Sequence, residues 1–135
     1  MLDENSVQSV REALAEYECR YGLWKLKLTE PYHISDQWNE YFPNTVSAGC
    51  YFFYDEDGIL LYIGKASLKS NSGLRVGSYF RKEEGKPVPK DSWKPVYLQT
   101  VAVEHPWEAC SLEEYLIERL QPPGNLRGIR KPEAP

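Results

Sequence analysis

The sequence predicts an α/β (α+β) fold in which a small, mainly antiparallel three-stranded sheet is flanked by helices and preceded by an N-terminal helix-strand extension. Two stretches, one near each end, carry apolar residues at the period of an amphipathic helix. Two β-prone runs in the middle are separated by an Asp-Gly turn signal. With 135 residues, of which 41% are hydrophobic and 27% charged, the chain has the size and composition of one globular domain, which excludes disordered and collagen-like classes.

The first helix is predicted over residues 6–21 by apolar residues that recur at three- and four-residue steps. These residues are Val7, Val10, Leu14, Tyr17 and Tyr21. Asn5 or Ser6 can serve as its N-cap, and Gly22 is placed to end it.

A strand is predicted over residues 24–28, where Trp and Leu alternate with Lys until Pro31 stops the pattern. Residues 29–47 are rich in Pro, Asn, Ser and aromatic residues without a period, which predicts a loop. We expect residues 1–47 to form an extension packed on the core.

A β-hairpin is predicted from residues 50–54 and 59–63, because Asp57-Gly58 between them supplies the positive φ that a tight turn requires. A polar loop follows and leads into a short helix face, after which the Lys- and Pro-rich residues 82–95 predict a further loop. The apolar positions of that short helix are Leu74, Val76, Tyr79 and Phe80.

A third strand and a last helix are predicted in the remainder of the domain. Val96, Leu98, Val101 and Val103 indicate the strand. The helix begins either with Pro106 as its first residue or with Ser111 as its cap and Glu114 as the capping-box partner. Its apolar stripe is Ala109, Leu112, Leu116, Ile117 and Leu120, and Pro122 and Pro123 end it. Residues 127–135 are predicted to form a mobile basic tail.

The charge distribution is uneven. The formal net charge is −4, but residues 65–94 carry eight basic and three acidic side chains. Such a stretch could hold phosphates, or it could be a lysine-rich solvated loop. Trp93, which lies among these lysines, could stack on a base or pack in the core.

Cysteine and hydropathy patterns favour a reducing compartment. Cys19, Cys50 and Cys110 have no C-x-x-C spacing, which argues against a disulfide framework and a cysteine zinc site, so each is expected to be a small buried residue. His33 and His105 have no partner acid or cysteine at ligand spacing. The short apolar runs and the lack of a charged-then-apolar leader predict a soluble, cytoplasmic protein that does not contact membranes.

Two tripeptides in the predicted hairpin carry the functional signal. Gly49-Cys50-Tyr51 is followed, after ten residues, by Tyr62-Ile63-Gly64, and the pair resembles the motifs that name the GIY-YIG nuclease superfamily. Arg75, with Tyr79 after it, is similar to the catalytic-arginine helix of that superfamily. Cys50 stands where the superfamily usually has Ile or Val.

The resemblance continues in the last helix. Glu113, three residues before Leu116, is similar to the metal-binding glutamate of the superfamily, while Glu114 is left to serve as a cap. Pro122 and Asn125 resemble its terminal Pro-x-x-Asn. The match covers residues 48–126 and is nearest to the nuclease domain of bacterial excision-repair incision proteins and to stand-alone endonucleases, although the loop over residues 66–73 is longer here.

These residue types suit phosphodiester hydrolysis on physical grounds as well. Tyr51 and Tyr62, which end adjacent strands of one hairpin, can place their hydroxyls side by side. Arg75 is a permanent planar cation suited to phosphate, and Glu113 offers the hard oxygen ligand that Mg²⁺ prefers. Mg²⁺ keeps most of its waters, so one carboxylate suffices. A phenol with a pKa near 10 is a poor base unless a cation lowers that pKa.

The resemblance implies a role for each candidate residue. Tyr62 would be the general base or water-orienting group, supported by Tyr51; Arg75 would stabilise charge, and Glu113 would hold the metal. Lys65 and Tyr79 would bind substrate, while Gly49, Gly64 and Asn125 would be structural. Taken singly, these tyrosines could be strand aromatics, and Glu113, Arg75 and Lys65 could be solvated surface charges.

The predicted function is that of an endonuclease that depends on Mg²⁺, with Mn²⁺ able to substitute, and that hydrolyses nucleic acid, with DNA as the expected substrate. The alternative is a nucleic-acid-binding or protein-interaction module that keeps the scaffold without turnover. The acidic residues 1–47 support that alternative, because they could dock a protein partner or mediate self-association.

Overall fold

An antiparallel sheet with helices on both faces forms the centre of the molecule, which confirms the predicted α/β (α+β) class. The computed structural model describes residues 4–21, 25–67, 70–90 and 94–125. The helices are α1 (Glu4–Tyr21), α2 (Ser72–Gly77) and α3 (Glu108–Leu120), and the strands are β1 (Tyr32–His33), β2 (Gly49–Tyr54), β3 (Leu60–Ala66), β4 (Phe80–Glu83), β5 (Lys86–Pro89) and β6 (Tyr97–Ala102). The main sheet has the order β1-β6-β2-β3, while β4 and β5 form a separate hairpin.

The predicted β2–β3 hairpin is confirmed, and its register decides which side chains meet. Tyr51 lies opposite Gly64, and Phe53 lies opposite Tyr62. The Asp55 carboxylate closes the turn by accepting hydrogen bonds from two backbone N–H groups, each at 2.9 Å. Because β6 pairs with the other side of β2, β2 is central and buried along its length, and β3 is an edge strand.

Side-chain alternation along β2 divides the core in two. Cys50 and Phe52 point to the face covered by α1 and α3, whereas Tyr51 and Phe53 point to the face covered by α2. The α2 face therefore carries the first tyrosine of the paired tripeptides, and the α1–α3 face is an apolar core.

The N-terminal extension packs on the rest of the chain. The hydroxyl of the buried Tyr17 on α1 lies 2.8 Å from that of Ser111 on α3, and Glu16 of α1 forms an ion pair of 3.0 Å with Arg119 of α3. The expectation that Asn5 or Ser6 caps α1 is wrong, because helical structure already includes Glu4 and both residues lie in the first turn.

The strand predicted over residues 24–28 is wrong for its described part. Residues 25–30 form no strand, because the Leu26 N–H donates to the Glu18 carboxylate instead of to a neighbouring strand. Two residues further along, β1 pairs with β6 and adds a fourth strand to the predicted three.

The loop predicted over residues 82–95 is also wrong, because its first half forms the β4–β5 hairpin. Glu84 and Gly85 both have positive φ, at 52° and 78°, as a tight two-residue hairpin turn requires. Pro87 and Pro89 made residues 86–89 resemble a loop in the sequence, because proline has no N–H to donate to a neighbouring strand and is tolerated only in edge positions. The buried ring of Phe80 anchors this ribbon against Trp38 and Phe53.

The two later helices begin where the pattern did not place them. Asn71 caps α2 by accepting a 2.9 Å hydrogen bond from the Leu74 N–H, and the Leu74 side chain, predicted to be on an apolar face, is 67% exposed. The start of α3 at Glu108 makes the Ser111 cap wrong, because Ser111 lies inside the helix. Pro106 lies in the turn just before it.

The remaining expectations have mixed outcomes. Cys50 is buried as expected, but Cys19 and Cys110 are exposed. None of the helices in the described part of the chain has the length and apolar character needed to cross a bilayer. Gly22, Trp24, Trp93 and the tail of residues 127–135 lie outside the described residues.

Candidate active site

Three tyrosines meet on the α2 face of the sheet. Tyr51 comes from β2, Tyr62 from β3, and Tyr79 from the turn after α2. The Tyr79 hydroxyl lies 3.0 Å from that of Tyr51 and donates to that of Tyr62 at 3.1 Å. Because each phenol carries one hydrogen, Tyr51 is then the donor to Tyr79, and the hydrogen bonds form a relay from Tyr51 to Tyr62.

Two glycines make room for this arrangement. A Cβ at Gly64 would overlap the ring of Tyr51, so only glycine lets that ring cross the face of β3. Gly49 has a φ of 156°, and a Cβ there would overlap the Val101 carbonyl oxygen of β6. Both positions predicted to be structural are therefore sterically restricted.

Burial keeps the three phenols protonated. It raises the pKa of Tyr51 to about 12, against the lowering effects of Tyr79 and Arg75. Burial also raises the pKa of Tyr62 and of Tyr79. A neutral Tyr62 hydroxyl can orient a water molecule.

Arg75 projects from α2 beside the tyrosines. Its pKa is raised chiefly by charge interaction with Tyr51, with a smaller effect from their hydrogen bond, so it remains a cation throughout the working range. The Arg75 side chain is more exposed than the phenols. A fixed cation at the open side of the tyrosine cluster can meet a phosphate arriving from solvent.

Glu113 reaches the same region from the other face of the sheet. It lies on α3, whose apolar residues pack in the opposite core from α2 and which contacts the edge strand β3. Burial raises the pKa of the half-buried Glu113 carboxyl, while the charges of Lys65 and Arg75 lower it. The Glu113 charge in turn contributes to the raised pKa of Tyr62. The carboxylate, the two cations and the phenol therefore share one electrostatic environment.

This donor set fits a hydrated divalent cation. The half-buried Glu113 carboxylate loses part of its hydration, and a bound cation compensates for that loss. Mg²⁺ accepts one or two protein oxygens and keeps several waters, so a single glutamate beside phenol hydroxyls meets its requirements.

Asn125 fastens the outer edge of β3 next to Tyr62. Its side chain is 8% exposed, its Oδ1 accepts from the Ile63 N–H at 2.9 Å, and its Nδ2 donates to the Ile63 carbonyl at 2.8 Å. The Asn125 side chain thus provides hydrogen-bond partners for the N–H and the C=O of Ile63, which have no neighbouring strand on the outer edge of β3. The sequence assigned it a structural role on resemblance, and the contacts supply the physical reason.

A second acidic group was missed in the sequence. Glu104, His105 and Glu108 place their ligand atoms within 4.8 Å of one another, so His105 does have acidic neighbours, contrary to expectation. The Glu-His-x-x-Glu spacing before a helix was the available signal. Two of these residues are exposed, and the Glu108 carboxylate already accepts the His105 backbone N–H at 2.7 Å.

Comparisons with known proteins show which family the chain is similar to. Residues 47–126 match the family described as the UvrC-like GIY-YIG domain. The chain is 34% identical over 79 residues to the UvrABC system protein C of Methanococcus maripaludis and 37% identical over 89 residues to that of Helicobacter pylori. These matches cover 58% and 59% of this chain.

A third relative extends the match. The UvrABC system protein C of Borrelia duttonii is 32% identical over 97 residues, which cover 70% of this chain. The matched regions span only 14% of the Methanococcus and Helicobacter proteins and 15% of the Borrelia protein. The likeness is therefore to one domain of longer proteins.

Proposed function

This chain belongs to the UvrC-like GIY-YIG family and carries its nuclease domain, and we propose that it is an endonuclease that cuts DNA with the help of a divalent metal ion. The observation that carries the proposal is the shared electrostatic environment of Tyr62, Arg75 and Glu113, which come from β3, α2 and α3. Resemblance assigned these residues to one site, and their mutual influence supports that assignment.

In the proposed mechanism, Glu113 holds Mg²⁺, with Mn²⁺ able to substitute. The metal, when bound, supplies a Lewis acid for the scissile phosphate. Tyr62 orients the attacking water through its hydroxyl, and the relay from Tyr51 through Tyr79 fixes the direction of that hydroxyl. Arg75 stabilises the negative charge that grows on the phosphate during in-line attack.

Basic side chains near the site support binding of the nucleic-acid backbone. Lys65 follows Gly64 on the edge strand and interacts with Glu113. The β4–β5 hairpin, which directly follows Tyr79, carries the exposed residues Arg81, Lys82 and Lys86. This ribbon also carries the exposed residues Glu83 and Glu84, and Arg81 forms an ion pair of 2.9 Å with Glu83. Lys82 and Lys86 are therefore the side chains on it that can hold phosphates, even though the whole chain is acidic.

Nicking of supercoiled plasmid tests the proposal directly. We expect purified protein to convert supercoiled plasmid or branched DNA to nicked product with Mg²⁺ or Mn²⁺, and to do so no longer when EDTA is present. The Glu113→Ala protein, purified in parallel, controls for contaminating nuclease. Equal nicking by the two proteins, or none by the wild type on any of these substrates, would contradict the proposal and favour a non-catalytic module.

Cleavage is expected to fall already at mildly acidic pH, above the ordinary pKa of a glutamate carboxyl, which is about 4.3. Burial raises the pKa of Glu113, so protons compete with the metal at a higher pH than for an exposed glutamate. The rate should rise with pH through that pKa and then level off, because the phenols stay protonated. Increasing the Mg²⁺ concentration should shift the acidic fall in cleavage rate to lower pH. If the pH of this fall does not change with metal concentration, Glu113 is not the metal ligand.

A further inference from the structure

An apolar pocket lies against α2, on the side of the helix away from Arg75. Its volume is about 380 Å³, within the range typical of ligand pockets. Gly73, Leu74 and Gly77 of α2 line it, whereas Arg75 does not, since its side chain projects from the opposite side of the helix. The facing wall is built from residues 38–46.

The walls of this pocket are fixed to each other. The Ser72 N–H donates to the Ser47 carbonyl at 3.0 Å, and the Gly73 N–H donates to the Thr45 carbonyl at 2.7 Å. At the base, the Tyr32 hydroxyl donates to the Glu40 carbonyl at 2.8 Å. The pocket is thus formed before any ligand arrives, which lowers the entropic cost of binding.

Apolar side chains stand exposed around its opening. Tyr41 is 94% exposed, Val46 is 84% exposed and Leu74 is 67% exposed. Glu40 and Asn71 add polar groups to the same lining. Exposed apolar groups that converge on one cavity with a few polar groups indicate a binding site rather than scattered surface residues.

We propose that this pocket takes an unpaired nucleobase of the DNA strand whose phosphate meets Arg75. The inference rests on the proposed function and names its substrate class, a strand with a base displaced from the helix near the cut. Arg75 and the pocket lie on opposite flanks of one helix, about 10 Å across with its side chains, so a short stretch of strand reaches both. Tyr41 and Trp38 offer aromatic surfaces for stacking. The Glu40 carboxylate and the Asn71 Nδ2 can bond to base edges, while Asn71 Oδ1 caps α2.

Basic side chains that can hold a nucleic-acid backbone lie near the pocket. The β4–β5 ribbon with its exposed basic side chains begins at Phe80, whose ring packs edge-on against Trp38 with centroids 5.4 Å apart. The pocket therefore lies near Arg75 of α2 and near a ribbon on which Lys82 and Lys86 are exposed beside the Arg81–Glu83 ion pair and Glu84. A base that must leave the stack is easiest to take from a flap, loop or mismatch, which predicts a preference for such DNA.

Oligonucleotide flaps with 2-aminopurine or an abasic residue at successive positions around the cut test this proposal. We expect 2-aminopurine fluorescence to change at one or two positions when the Glu113→Gln protein binds. An abasic residue at those positions should lower single-turnover cleavage by wild-type protein about tenfold. Tyr41→Ala and Gly77→Leu should each weaken both effects, since a Cβ at Gly77 meets no atom within 4 Å and the larger side chain can enter the opening without disturbing the fold.

Tyr21→Ala, which removes an exposed tyrosine from α1, is the matched control and should behave as wild type. If an abasic residue has no effect on cleavage at any position and both pocket variants cut like wild type, the proposal for the pocket is wrong, while the proposed nuclease function is unaffected. If wild-type protein neither binds nor cuts the flaps, both proposals fail. If the pocket variants instead change the sedimentation of the protein and leave base dependence unaltered, the pocket is an interface between copies and the proposal is wrong.

Discussion

Glu113→Gln is expected to lower metal-dependent cleavage by about a hundredfold or more while leaving the fold intact. Glutamine keeps the shape of the side chain but loses the charge that attracts the cation. The raised pKa shows that burial disfavours the ionised carboxyl, so removing its charge should not lower the free energy of unfolding at neutral pH. Single-turnover cleavage measures the loss of activity, and Mn²⁺ titration followed by electron paramagnetic resonance measures the loss of metal binding.

The adjacent residue provides a matched control for that variant. Glu114 is exposed and lies next to Glu113 on α3, so Glu114→Gln should cut and bind Mn²⁺ nearly as wild type does. The group of Glu104, His105 and Glu108 is a competing metal location. If a double Gln variant of that group loses Mn²⁺ and activity while Glu113→Gln keeps both, the metal assignment is wrong.

Arg75→Ala is expected to reduce the cleavage rate by about a hundredfold or more, with much less effect on DNA binding. The reason is that Arg75 is proposed to meet the charge that develops on the phosphate, whereas other basic side chains hold the backbone on either side. Arg75→Lys keeps the charge but not the planar fork, so it should restore only part of the rate. Single-turnover rates at saturating protein separate this loss from weaker binding.

The control for the Arg75 variants is an arginine on α1, which covers the other face of the sheet from the cluster of Tyr51, Tyr62 and Tyr79. Arg20 is exposed at the end of α1, and Arg20→Ala should cut at the wild-type rate. Circular dichroism should show the same fold for all three arginine variants, because the Arg75 side chain is exposed. A drop in affinity that accounts for the whole loss in Arg75→Ala would make this residue a binding group rather than a catalytic one.

Local patterns predicted the parts of the fold that local physics controls. The β2–β3 hairpin was predictable because its turn needs particular residues within a few positions. The apolar stripes of α1 and α3 were predictable because each helix buries one face. The β4–β5 ribbon was missed because two prolines hide β5, and the N-terminal strand was misplaced because the Glu18 carboxylate takes the Leu26 N–H.

The sequence by itself determined the identity and order of the candidate site residues, since paired tripeptides, an arginine and a glutamate at family spacing are readable in one dimension. Only the tertiary structure decided that Tyr79 joins Tyr51 to Tyr62, and that Glu113 influences Tyr62 from the opposite face of the sheet. These relations depend on strand register and on β3 being an edge strand. Register and strand order arise from contacts between residues far apart in the chain, which no local period encodes.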